Sequence, residues 1–310
     1  MILDIPESFF EIDVRRDFTI IPMMKRAWAC EMEALMQIDR ICKMHEIRYF
    51  VAYGSLLGTV REHGFIPWDD DIDIWMFRED YNRFLSVAPE LLPQSYWISS
   101  CYTCLTHNQP ISAVMNRKDI GQNEELNREF YGCPFICGID IFPLDYIPDD
   151  KEADEIQLNV MTILFDCAQR FEELKSSGQL EERVSQIEQL LNIKLNRDEK
   201  LHQTLWKLED SVSSMYSEAD GNRVAVQHHR FTIGMGIMPA SWFSSVTLAE
   251  FEMITVPIPS EYDKVLTSAF GDWRTPIKFG AGHGYPFYRK QIAGLPADYP
   301  REGLLPEESS

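Results

Sequence analysis

The chain has 310 residues, an apolar fraction of 45% and a formal net charge of −20. That length holds one large domain or two smaller ones, with enough apolar side chains for a sizeable core. The charge argues against general binding to nucleic acid or to an anionic bilayer, both of which recruit Lys and Arg, so an anionic substrate has to be held by a few local basic groups and a metal. No apolar run reaches the roughly 18–20 residues of a membrane-crossing helix. Met1 to Glu7 lacks the basic flank and long apolar stretch of a signal peptide, so the sequence reads as cytoplasmic.

In chain order, Trp28, Leu35, Ile38, Cys42 and His45 recur at helical spacing and predict a helix over 23–47. Arg48 to Tyr53 reads as a short strand ending at the Gly54-Ser55 turn, followed by a helix from Leu56 to Glu62 that Gly64 stops. Asp71 to Phe77 is the next strand, Asp80 to Leu92 a helix closed by Pro93, and Ile139 to Phe142 an apolar strand that ends at Pro143. Three amphipathic helices follow, marked by Ile156, Val160, Ile163, Leu164, Cys167 and Phe171, by Leu180 to Leu191, and by Leu201 to Met215. From Val224 the chain is β-rich, with a last helix over 261–270 and a polar tail from Pro300 to Ser310 that reads as disordered.

Seven cysteines, an odd number in a chain this long, read as reduced thiols. Cys101 and Cys104, with Cys133 and Cys137, have the spacing of a four-thiolate zinc site, but Cys137 sits close to a predicted core strand and free Cys is often just a small buried apolar residue, the reading preferred here.

The densest chemical signal is Asp69-Asp70-Asp71-Ile72-Asp73. Like charges so close repel one another, and a bound cation would offset them. If the strand is regular, Asp71 and Asp73 share one face, Asp69 joins them if the strand starts early, and Asp70 points away. Oxygen ligands of this kind favour Mg²⁺ or Mn²⁺. Upstream, Gly54 allows close backbone approach, and Ser55 with the first helical N–H groups offers a phosphate site. Downstream, Asp140 is an isolated charge in an apolar strand, costly unless paired. It completes a three-carboxylate cluster if its strand lies beside the aspartate strand. Arg61, Lys118 and His283 are the candidate basic contacts to phosphate, and His228-His229-Arg230 is a further basic cluster.

These motifs together resemble the LicD family of the nucleotidyltransferase superfamily. The resemblance lies in GSLLGTVREHGFIPWDDDIDI (54–74), GIDIFPLDYIP (138–148), VPIPSEYDKVL (256–266) and FGDW (270–273). It implies an α+β fold: a nucleotidyltransferase-like mixed β-sheet core flanked by helices, with a helical insertion and a smaller C-terminal α/β region. On that basis the expected division is 1–150 for the catalytic core, 151–217 for the insertion, 218–299 for a region completing the cleft, and 300–310 for the tail.

The implied activity is a metal-dependent phosphotransferase. It would move phosphocholine or an alditol phosphate from a CDP-activated donor to a hydroxyl of a cell-surface glycan or its lipid-linked precursor, releasing CMP. Asp71 and Asp73 would hold Mg²⁺ (or Mn²⁺), with Asp69 a further ligand and Asp140 a shared ligand or the base. Gly54, Ser55, Arg61, Lys118 and His283 would meet the substrate. No nucleic-acid partner is expected, and membrane contact would be transient. Two alternatives stand beside it: a glycosyltransferase using the Asp71-X-Asp73 pair on a nucleotide-sugar, and a non-catalytic nucleotide-binding protein of the same fold.

Overall fold

A computed structural model describes residues 2–121, 123–234, 236–277 and 284–306. The chain forms a mixed α+β structure in two compact units, one of 1–98, 113–141 and 245–310, the other of 99–112 and 142–244.

In the first unit, a small hairpin of β1 (Asp13–Arg15) and β2 (Phe18–Ile20) leads into α1 (Pro22–Met44). Pro22 suits the first helical turn, where its missing N–H has no partner to lose. Helix α1 is buried on more than one face. Trp28 stacks flat on Phe65 at 4.4 Å, and Phe65 meets Phe251 edge-on at 4.8 Å. The helix stops three residues before the expected end because Glu46 takes a left-handed φ of 53°. After β3 (Phe50–Val51), α2 (Tyr53–Glu62) starts at Tyr53, ahead of the Gly-Ser turn. It ends at His63, whose φ is 55°. There Gly58 is obligatory, since a Cβ would lie 2.4 Å from the Gly64 carbonyl oxygen.

Strand β4 (Ile72–Phe77), helix α3 (Arg78–Leu91), β5 (Trp97–Ser99), β6 (Ser112–Met115), α4 (Glu124–Glu129) and β7 (Gly138–Ile147) follow. The sheet runs β3-β4-β7-β6-β5, with β3 antiparallel to β4 through Phe50↔Trp75 and Val51↔Ile74. Strand β7 therefore lies beside β4, the arrangement that the Asp140 reading required. It also runs on past Pro143, where the sequence ended it. The last parts of this unit are the hairpin β10 (Val246–Phe251) and β11 (Ile254–Pro259) and the helix α10 (Tyr262–Phe270). Pro257 and Pro259 have the same parity in a two-stranded ribbon, so their missing N–H groups fall on one side. Helix α2 packs on β4, β10 and α10. Within the expected tail, Leu304 is 3% exposed and so is held in the fold.

The second unit holds α5 (Lys151–Gln169), α6 (Phe171–Ser176), α7 (Leu180–Leu191) and α8 (Leu201–Ser213), which pack together as the amphipathic patterns predict, except that the first pattern is split at Arg170 between α5 and α6. Its core includes Leu164, Cys167, Val184, Ile187, Leu205 and Trp206, and Cys101 is part of it. Ile156 and Ile163, read as core from their spacing, are 57% and 38% exposed. Strand β8 (Arg223–Ala225) pairs with the end of β7 and with β9 (Met238–Pro239), and the short α9 (His229–Thr232) lies between β8 and β9 in sequence. No helix among the described residues is long and apolar enough to cross a membrane.

Candidate active site

The site is assembled where α2 meets the start of β4. The Ala52 N–H donates to the Asp73 carbonyl at 2.8 Å. The Asp73 N–H donates to Ser55 Oγ at 2.9 Å, and that hydroxyl faces the Asp71 carbonyl at 3.5 Å. Ser55, 4% exposed, thus bolts the first turn of α2 to the aspartate strand. Gly54 is needed for a different reason: a Cβ there would lie 2.2 Å from Asp69 Oδ2. The Asp69 carboxylate is pressed against the bare backbone of α2, a contact that any side chain at 54 would displace.

Strand β4 begins at Ile72, so the alternation of faces applies to Asp73 and not to the three aspartates before it. Asp69, Asp70 and Asp71 lie in an irregular segment, and carboxylate oxygens of all three fall within 4.8 Å of one another. The parity argument that set Asp70 aside fails for that reason. Asp70 is fully buried and accepts the Phe287 N–H, which anchors this segment to the C-terminal region of the same unit.

Asp73 is pushed well above the usual carboxylate range, first by burial and then by the charges of Asp71, Asp140 and Asp69. Those neighbours place Asp140, on the adjacent strand, in the same electrostatic cluster. One more carboxyl belongs to it. Glu31 on α1 is 1% exposed, its Oε2 has no hydrogen-bond partner, and burial followed by Asp71 and Asp70 pushes it well up. Sequence reasoning missed it, although the signal was there: Glu31 lies three residues after Trp28 and four before Leu35, a charge on the stripe that should be apolar. A buried carboxyl with one oxygen unused, facing crowded aspartates, fits a hard divalent cation bound by oxygen.

Beside Asp69 opens a cleft of about 190 Å³, lined by Gly54, Leu57, Arg61, Trp68, Phe270 and Trp273 among others. Arg61 is held there by Glu62 at 2.7 Å and by the Trp273 carbonyl at 3.1 Å. Asp263 on α10 accepts from Trp273 Nε1 at 3.2 Å, so its role is to fix that wall. The other candidate cations fall elsewhere. Lys118 lies 5.7 Å over the Trp97 ring on the surface. His283 lies outside the described residues. His228 and His229 are in the second unit, where burial pushes them down to about 3 and about 4, so both are neutral at physiological pH. Arg230 is committed to Asp154 and Gln227.

The sequence model described as LicD/FKTN/FKRP, nucleotidyltransferase domain, matches residues 46–103. Over 245 residues the chain is 23% identical to the lipopolysaccharide cholinephosphotransferase LicD of Haemophilus influenzae, covering 75% of this chain and 84% of that one. Residues 46–103 thus carry a LicD-type nucleotidyltransferase signature, and most of the chain is similar to a LicD protein. The segment matched by the LicD model contains Gly54, Ser55, Arg61 and the four aspartates, whereas Glu31 and Asp140 lie outside it. An uncharacterized protein of Rickettsia typhi is 36% identical over 81 residues, 24% of this chain and 26% of its own length. One of Rickettsia prowazekii is 38% identical over 55 residues, 18% and 21%.

The carboxyl cluster has a measurable pH signature in metal-free protein. A carboxyl raised in the folded state stays protonated while its unfolded counterpart ionises, so the penalty is full at high pH. It disappears as pH falls through the folded value toward the unfolded one near ~4. Glu31→Gln should therefore raise the melting temperature of magnesium-free protein at pH 7, and the advantage should shrink toward pH 4. Thermal melts across that range check it; a variant less stable than wild type at pH 7 would contradict the assignment.

Proposed function

We propose that the protein is a metal-dependent transferase that moves phosphocholine from CDP-choline to a hydroxyl of a surface glycan or its lipid-linked precursor, releasing CMP. The supporting observation is the pairing of two unlike recognition elements in one cleft. Arg61 can meet a phosphate, and the aromatic rings of Trp68, Phe270 and Trp273 can meet a quaternary ammonium. Phosphocholine is a zwitterion with both groups. The activity named for the Haemophilus influenzae relative points the same way.

In this reading Asp71, Asp73 and Asp69 hold Mg²⁺ or Mn²⁺, with Glu31 behind them. When bound there, the ion neutralises the donor diphosphate and the charge that develops on departure of CMP. Gly54 leaves Asp69 and the α2 backbone open to the donor. Arg61 grips the phosphate that is transferred. The acceptor oxygen attacks the distal phosphorus, the bond from that phosphorus to the bridging oxygen breaks, and the acceptor proton passes to Asp140. A nucleotidyltransferase-like sheet suits this chemistry, since it carries the acids on neighbouring strands β4 and β7.

The test is a donor panel with Mg²⁺ and a lipopolysaccharide acceptor: CDP-choline, CDP-glycerol, CDP-ribitol and nucleotide-sugars. CMP release from CDP-choline, at least about tenfold above the other donors, is expected. Nucleoside diphosphate release from a nucleotide-sugar would favour the glycosyltransferase reading instead.

A further inference from the structure

The cysteines that sequence spacing grouped as one set separate in the fold. Cys101 is core in the second unit and Cys104 shares its unit, whereas Cys133 and Cys137 lie in the first. Their companion there is Cys30 of α1, about a hundred residues upstream in sequence. All three are fully buried, and their sulfurs fall within 4.8 Å of one another. The Cys133 and Cys137 sulfurs are 3.7 Å apart, too far for a disulfide. Two thiolates bound to one tetrahedral zinc at ~2.3 Å stand about 3.8 Å apart.

A second observation is independent of that spacing. Arg117, which follows β6, is 1% exposed, and its Nε and Nη2 have no hydrogen-bond partner. Only Nη1 is engaged, with Asn127 Oδ1 at 2.6 Å and the Cys133 carbonyl at 3.1 Å. Burial pushes this guanidinium down from its ordinary value, and the charges that oppose burial most strongly are those of Cys133, Cys137 and Cys30. A buried guanidinium with two idle nitrogens is costly beside neutral thiols and favourable beside thiolates. Three thiolates cannot share so small a volume without a cation between them.

We propose that Cys30, Cys133 and Cys137 bind one zinc ion, with Arg117 as the charge-balancing neighbour. Three thiolates, one divalent ion and one guanidinium sum to −3 + 2 + 1 = 0, a neutral set that can be buried. The buried Tyr288 hydroxyl has no hydrogen-bond partner and lies within electrostatic reach of Cys133 and Cys137. The site clamps α1 to the entry of β7. Cys30 directly precedes Glu31, and Cys137 lies three residues before Asp140, so the clamp sets the spacing of the two acids contributed from outside the aspartate run.

Metal analysis of the full chain, purified without chelator, tests this. One zinc per chain is expected, retained in Asp71→Ala, Cys101→Ser and Cys104→Ser and lost in Cys137→Ala. Should Cys137→Ala fail to fold, the wild-type protein reconstituted with Co²⁺ still decides, because a three-thiolate site gives intense sulfur-to-cobalt absorption. Zinc lost from the Asp71→Ala, Cys101→Ser or Cys104→Ser protein, absence of stoichiometric zinc, a Cys133–Cys137 disulfide, or cobalt spectra with no thiolate bands would each overturn it.

Discussion

Alanine at Asp73 should abolish turnover, by more than the ~10–100-fold loss typical of groups that merely support a metal ligand, while leaving the fold intact. The side chain is surrounded by Asp71, Asp140 and Asp69, and burial already penalises its charge. Removing it relieves repulsion, so magnesium-free Asp73→Ala should melt at the same temperature as wild type or higher. The anchoring bond survives, because Ser55 Oγ accepts from the backbone N–H of residue 73. Asp71→Ala should behave alike. Turnover assays paired with melts separate this from a structural role, which predicts lost stability along with lost activity. Full activity in Asp73→Ala would remove the metal assignment.

Gly54→Ala should be nearly as damaging for a reason that lies in sterics. Alanine inside a helix is ordinarily favoured over glycine by about 0.5–1 kcal/mol. Here the new methyl would meet Asp69 Oδ2 at 2.2 Å, and the carboxylate has to swing away. Displacing a catalytic group by ~1 Å costs on the order of 100-fold. The expected variant is therefore well folded, no less stable than wild type, and about 100-fold slower. Gly58→Ala should show the reverse pattern, losing stability first, because its methyl would strike a backbone carbonyl that cannot rotate aside. Steady-state kinetics and melts of the two variants give the comparison.

Much of the first unit was readable from local pattern. The 3.6-residue period located α1 and α3, and Gly54-Ser55 followed by four aspartates located the site. What escaped did so for identifiable physical reasons. The period-2 rule needs a regular strand, and Asp70 lies before one begins, so its place was decided by the distant Phe287 N–H. Helix α2 starts at Tyr53, whose φ of 43° is a conformation that local propensity disfavours, so this start could not be read from propensity. Glu31 broke the apolar stripe of α1 and read as a polar interruption, because only the packing of α1 brings it to β4. Cys30 lies about a hundred residues from its two partners, beyond any spacing rule. Of the cleft aromatics, Trp68 stands next to the aspartates in sequence, whereas Phe270 and Trp273 lie some two hundred residues away and reach the cleft only through the fold.

The central claim is that an acid-bound metal and Arg61 deliver a phospho-substituent to a hydroxyl. The most direct measurement is the mass of a glycan acceptor after incubation with CDP-choline, with and without Mg²⁺. A gain equal to one phosphocholine, matched by one CMP and absent without the metal, is the predicted result. An unchanged acceptor, or the same gain in metal-free enzyme, would contradict it.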